Sequence, residues 1–178
     1  SALARALPLP EGAALVLGNG SDELIQVITS AIARPGACVL APDPTFVMYR
    51  IYAMQAHVRY ASVPLHADFT LDVEALVAEI ARQKPALVWL ASPNNPTGRA
   101  IPAAAIERVL AAAPGLVVVD EAYADFAGTT LVPRVLEFPN LVVMRTLSKV
   151  GLAGARLGYA VAHPAWIGEL DKVRSPYN

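Results

Sequence analysis

Short apolar runs alternate with amphipathic stretches along almost the whole chain, and few folds accept that pattern. The runs "AALVLG" (13–18), "ACVLAPD" (37–43), "HVRYASVPL" (57–65), "PALVWLAS" (85–92), "LVVVDEAY" (116–123), "NLVVMRTLS" (140–148) and "ARLGYAVA" (155–162) read as strands. Between them, "SDELIQVITSAIARPG" (21–36), "TFVMYRIYAMQ" (45–55), "DVEALVAEIARQK" (72–84) and "PAAAIERVLAAAPG" (102–115) read as helices, and "PAWIGELDKVR" (164–174) as a last one. Connections are mostly short and punctuated by Pro and Gly. This alternation requires a mostly parallel sheet covered by helices on both faces, so the expected fold is a three-layer α/β/α domain. Right-handed crossovers then set the loops that follow the strands along one edge of the sheet.

The polar residues collect at those strand ends. "GNGSDE" follows the first strand, "PDPTF" the second and "SPNNPTG" the run "ALVWL", while "DEAY" closes "LVVV" and "TLSK" closes "LVVMR". Five polar clusters on one sheet edge describe one crevice. The common nucleotide signatures are absent from it: no GxxxxGK[ST] stretch occurs, and "GNGSDE" has Glu23 where a dinucleotide-binding turn needs its third glycine. A dehydrogenase reading would also leave "DEAY" and Lys149 without a role. His57, His66 and His163 are scattered, which with a single cysteine gives no metal-ligand cluster.

Composition removes further classes. Hydrophobic residues make up 55% and charged residues 16%, with mean hydropathy +0.44, which suits strands covered on both faces or a surface hidden against something else. A net charge of −1 and the lack of a basic block argue against nucleic acid as a partner. No apolar run approaches the ~18–20 residues of a membrane span. Cys38 stands alone in an apolar run, reads as strand filler and fits a reducing, cytoplasmic setting.

Lys149 is the conspicuous group. The chain has three lysines against eleven arginines, and Lys149 sits among Ser, Gly, Leu and Ala with little charge nearby before Arg156. An amine so placed can attack carbonyls. Taken alone it reads first as an ordinary surface lysine and Asn95 first as a turn former, and Ser21 or Asp22 is equally an N-cap. Gly20, Ser21 and Asp22 also stand where a strand turns into a helix, where backbone N–H groups can meet an anion. There the carboxylates of Asp22 and Glu23 are expected to point away. Ser148 and Arg156 offer a second set of phosphate-type donors.

Taken together and in order, "GNGSDELI", "PTFVMY", "SPNNPTG", "DEAYADF" and "RTLSKVGLAGARLGY" resemble the fold-type I pyridoxal-phosphate-dependent aminotransferases, in wording nearest to their histidinol-phosphate group. The resemblance implies pyridoxal 5'-phosphate as cofactor. It makes Lys149 the covalent attachment point and proton carrier, Asp120 the partner of the pyridine nitrogen, and Tyr123 and Asn95 the partners of the ring's phenolic oxygen. Asn94 would shape the turn. Gly20, Ser21, Asp22, Ser148 and Arg156 would hold the phosphate, and Phe46 matches a position where the family often stacks a tyrosine on the ring. Arg156 follows Lys149 at a spacing one residue shorter than in many fold-type I enzymes, though the histidinol-phosphate group also uses it.

The resemblance also implies how the whole protein is organised. Residues 1–178 would be the cofactor-binding large domain, with an N-terminal segment and a C-terminal small domain lying outside this stretch. The parent would be a cytoplasmic homodimer of histidine biosynthesis that moves an amino group between histidinol phosphate and 2-oxoglutarate. An aromatic-amino-acid aminotransferase, a threonine-phosphate decarboxylase and a non-catalytic ligand-binding fragment are the alternatives.

Overall fold

The computed structural model describes residues 7, 9–149, 151 and 153–175. Its elements run β1 (Ala14–Asn19), α1 (Ser21–Ala31), β2 (Cys38–Asp43), α2 (Met48–Gln55), β3 (Arg59–Pro64), α3 (Val73–Gln83), β4 (Leu87–Ala91), α4 (Ala103–Ala112), β5 (Leu116–Asp120), α5 (Ala124–Ala127), β6 (Leu141–Thr146), β7 (Leu157–Ala162) and α6 (Pro164–Val173). Short 3₁₀ turns cover Val132–Arg134, Leu147–Lys149 and Ala153–Ala155.

The strands form one sheet in the order β1-β7-β6-β5-β4-β2-β3. Strands β2 to β6 are paired in parallel, and β7 runs antiparallel to both β6 and β1. The expected mostly parallel α/β/α architecture is therefore present. The reversal of β7 matters for the site: its N-terminal end, next to Arg156, reaches the same edge as the C-terminal ends of the parallel strands.

Period-two alternation explains why the central strands are apolar throughout. Leu87, Trp89, Ala91, Leu116 and Val118 pack with Leu24, Ile25 and Ile28 of α1, Tyr49 and Ala53 of α2, and Leu170 of α6. Their neighbours Val88, Leu90, Val117 and Val119 pack on the other side with Leu76 and Ile80 of α3 and Ile106 and Val109 of α4. Each such buried aliphatic side chain contributes roughly 1.5–3 kcal/mol over its exposed form. Cys38 is buried within β2, and burial pushes its thiol pKa up, as a strand filler should behave.

Element ends are tighter than the sequence reading. The run "LVVVDEAY" is a strand only to Asp120, and "NLVVMRTLS" only to Thr146. Helix α1 stops at Ala31 with Ile32 as its C-cap, short of Arg34, the residue that Pro35 keeps out of helical geometry. Past these stops Tyr123, Ser148 and Lys149 reach the cleft at the sheet edge, while Glu121 still donates its N–H to the Met144 carbonyl at 2.8 Å.

Candidate functional site

Alternation along β5 sends Val118 and then Asp120 toward the α1–α2 face, so the acid ends below the first turn of each helix. There it is 5% exposed. Tyr49 O–H donates to Asp120 Oδ2 at 2.6 Å, and the backbone N–H of Ala122 donates to Oδ1 at 3.0 Å. Burial raises the Asp120 pKa to about 6, against the two hydrogen bonds; the Asp22 charge adds to the rise and Lys149 opposes it.

Above Asp120 a cleft of about 120 Å³ opens, lined by Ser21, Asp22, Phe46, Tyr49, Asn95, Asp120, Tyr123, Thr146, Ser148, Lys149 and Arg156 among others. Nine of the ten residues singled out in the sequence thus share one cavity. The tenth, Gly20, stands beside it: with φ of +81°, a Cβ there would lie 3.1 Å from Arg156 Nη2. A Cβ on Gly158 of β7 would come within 2.7 Å of the Ser21 nitrogen, so glycine lets β7 approach the start of α1.

Each wall has a local cause. Gly20 is the N-cap of α1 and no side chain caps the helix, so neither Ser21 nor Asp22 serves as N-cap, and the first residues of α1 line the cleft. Glu23 turns back to accept from the Asn19 N–H at 2.6 Å, as expected of a carboxylate pointing away. Asp22 departs from that expectation: it lines the cleft, and its charge is felt at Asp120 and at Tyr52.

Lys149 lies in the 3₁₀ turn after β6, with Nζ 5.2 Å from the centroid of the Tyr123 ring. Thr146 Oγ1 sets this turn by accepting the Ser148 N–H at 3.2 Å. Asn95 lines the cleft, while Asn94 is buried and does more than shape its own turn. Its Oδ1 accepts from Thr45 Oγ1 at 2.7 Å, and its Nδ2 donates to the Pro44 carbonyl and to Thr97 Oγ1, each at 3.0 Å. It staples the loop after β4 to the loop after β2, the one that leads to Phe46.

Two groups escaped the sequence reading. Tyr49 read as a helix residue, although its place three positions after Phe46 puts both rings on one face. Glu121 read as part of a strand; it is 3% exposed and accepts from Thr130 Oγ1 and the Leu131 N–H, each at 2.6 Å, with Arg145 Nε at 3.9 Å. Arg145 also holds Asp125 at 2.5 Å, so the segment carrying Tyr123 is tied down from both sides.

Fold and cleft define an open α/β protein whose strand-end crevice combines a buried acid, an amine, a phenol and an uncapped helix start. The model of the family "Aminotransferase class I and II" matches residues 3–178, and the chain belongs to that family. It is 56% identical over 178 residues to the histidinol-phosphate aminotransferase of Chromobacterium violaceum, covering 100% of this chain and 50% of that protein. It is also 56% identical over 177 residues to histidinol-phosphate aminotransferase 1 of Burkholderia lata, covering 99% of this chain and 50% of that protein. The crystal structure of histidinol-phosphate aminotransferase from Sinorhizobium meliloti in complex with pyridoxal-5'-phosphate superimposes with a TM-score of 0.80 at 35% identity, over 90% of this chain and 45% of that one. The chain spans about half the length of the curated relatives it matches.

Proposed function

We propose that this chain is the cofactor-binding part of a pyridoxal-phosphate-dependent aminotransferase that moves an amino group between histidinol phosphate and 2-oxoglutarate in histidine biosynthesis. The observation that carries the reading is the meeting of Lys149, Asp120, Tyr123 and Asn95 in one cleft with Ser21, Ser148 and Arg156. The high identity to proteins of that name supports the substrate.

The donor set fits the cofactor end by end. Asp120 is a buried acid held by two neutral donors, which suits the protonated nitrogen of a pyridine ring. The uncapped start of α1 with Ser21, Ser148 and Arg156 suits a phosphate dianion, and the Phe46 ring offers a stacking face. When bound, pyridoxal phosphate supplies an electron sink for charge developing at the substrate carbon. Lys149 would hold the cofactor through its aldehyde carbon and, once the substrate amine has displaced it there, its free amine would carry a proton between the substrate carbon and the cofactor. Asp120 would keep the ring nitrogen protonated, and Tyr123 and Asn95 would hydrogen-bond the ring's phenolic oxygen.

The whole protein works as a homodimer in the cytoplasm, with this stretch as its large domain. Exposed apolar Val47 and Met54 on the segment after β2, and the lone reduced Cys38, support that reading. Among the described residues no helix is long and apolar enough to cross a membrane.

The test uses the full-length protein loaded with pyridoxal phosphate. Histidinol phosphate should discharge the visible band of the lysine-bound cofactor, and 2-oxoglutarate should restore it. A band that responds to an aromatic amino acid or threonine phosphate, and not to histidinol phosphate, would reassign the substrate within the same fold group.

A further inference from the structure

Asp120 is buried at the floor of the cleft and, among the described residues, makes no ion pair. Its orientation is left to two neutral donors, the Ala122 N–H on Oδ1 and the Tyr49 phenol on Oδ2. Tyr49 is itself immobilised. It is fully buried, lies flat on Trp89 with centroids 4.6 Å apart and planes at 3°, and meets the edge of Phe46 at 5.7 Å. Trp89 is itself fully buried, so the stack is fixed from both sides.

We infer that Tyr49 is a positioning residue for the reaction: its phenol orients the Asp120 carboxylate and keeps it charged for the ring nitrogen of the cofactor. The inference rests on the pyridoxal phosphate reading above. Burial and the adjacent Asp120 charge push the Tyr49 pKa well above its ordinary value, so the phenol keeps its proton and stays a donor. The other charged groups facing this pair are Asp22 and Lys149 at Asp120, and Tyr60 is the further titratable group felt at Tyr49. Removing the phenol leaves burial opposed by one hydrogen bond fewer, so the carboxyl holds its proton more tightly and meets the pyridinium less well.

Tyr49→Phe tests this, because it removes only the hydroxyl and keeps the ring between Trp89 and Phe46. In the full-length protein, pyridoxal phosphate should bind roughly 10- to 100-fold more weakly, the loss expected for one hydrogen bond to a charged group. With ring-¹⁵N-labelled cofactor, the nitrogen signal should move toward the unprotonated position, as it should in Asp120→Asn. In the Asp120→Asn background, adding Tyr49→Phe should change affinity by no more than about threefold. Unchanged affinity and ¹⁵N signal in Tyr49→Phe would overturn the inference. So would an equal loss of affinity in both backgrounds, which would mean packing alone. A full-length wild-type protein that binds no pyridoxal phosphate would overturn the cofactor reading, and this inference with it.

Discussion

Asp120 and Glu121 are neighbours at the end of β5, both buried, and they face opposite sides of the sheet. Burial raises the pKa of each. Glu121 is enclosed by its own chain, with a hydroxyl, a backbone N–H and the Arg145 guanidinium around it. Asp120 has a phenol and a backbone N–H, no fixed cation among the described residues, and an open cleft above it. The first acid completes a structure. On the proposed function the second is held ready for a positive charge that no described residue supplies at contact distance, which is how a structural acid and a binding acid would come to differ when separated by one peptide bond.

Substitutions can break or sharpen that contrast. The largest effect on stability belongs to Glu121→Ala, which leaves the Thr130 hydroxyl and the Leu131 N–H without their acceptor while Arg145 keeps Asp125. A loss of roughly 2–4 kcal/mol is expected by chemical denaturation, larger than any loss of cofactor affinity in the surviving folded protein. Asp120→Asn should do the reverse. Amino transfer by the full-length protein should fall by about 10²–10³-fold in steady-state assays, the scale of losing one preorganised charge interaction.

The same Asp120→Asn change should stabilise the cofactor-free protein at pH 7 by an amount on the order of 1–3 kcal/mol, since a charge no longer has to be buried. Folded Asp120 keeps its proton up to about pH 6, whereas the unfolded chain releases it near 3.8. The folded state therefore binds more protons in that window, and the contribution of Asp120 to stability falls as pH rises through it. The difference in melting temperature between wild type and Asp120→Asn should be small at pH 4 and full at pH 7.

Asn94→Ala should cost about 1–3 kcal/mol, because the Thr45 hydroxyl and the Pro44 carbonyl lose their partner beneath the cleft. At the small end, Glu74→Ala removes an exposed pair with Arg108 and should leave the melting temperature unchanged within error.

Much of the fold and the cleft was legible in the sequence, for physical reasons. Strand-end loops need turn formers and polar donors, so "SPNNPTG", "DEAY" and "TLSK" stood out against apolar strands, and a parallel sheet had to bring them to one edge. Tyr49 was hidden because a tyrosine on the buried face of a helix looks like core; only the direction of Asp120 across the sheet gives its hydroxyl a purpose. Glu121 was hidden because its partners Thr130 and Leu131 lie nine and ten residues on, in an irregular segment whose path the sequence does not show. The reversal of β7 could not be read either, since alternation of apolar residues is the same in both chain directions. That reversal is what brings Arg156 beside Gly20 and Ser21.

Lys149 is the residue on which the proposed chemistry most directly depends. The full-length protein, loaded with pyridoxal phosphate, dialysed, reduced with borohydride and digested, should carry the pyridoxyl group on the peptide containing Lys149, and Lys149→Ala should lose both the label and the visible band. A label on Lys84 or Lys172, or no label on any lysine, would contradict it.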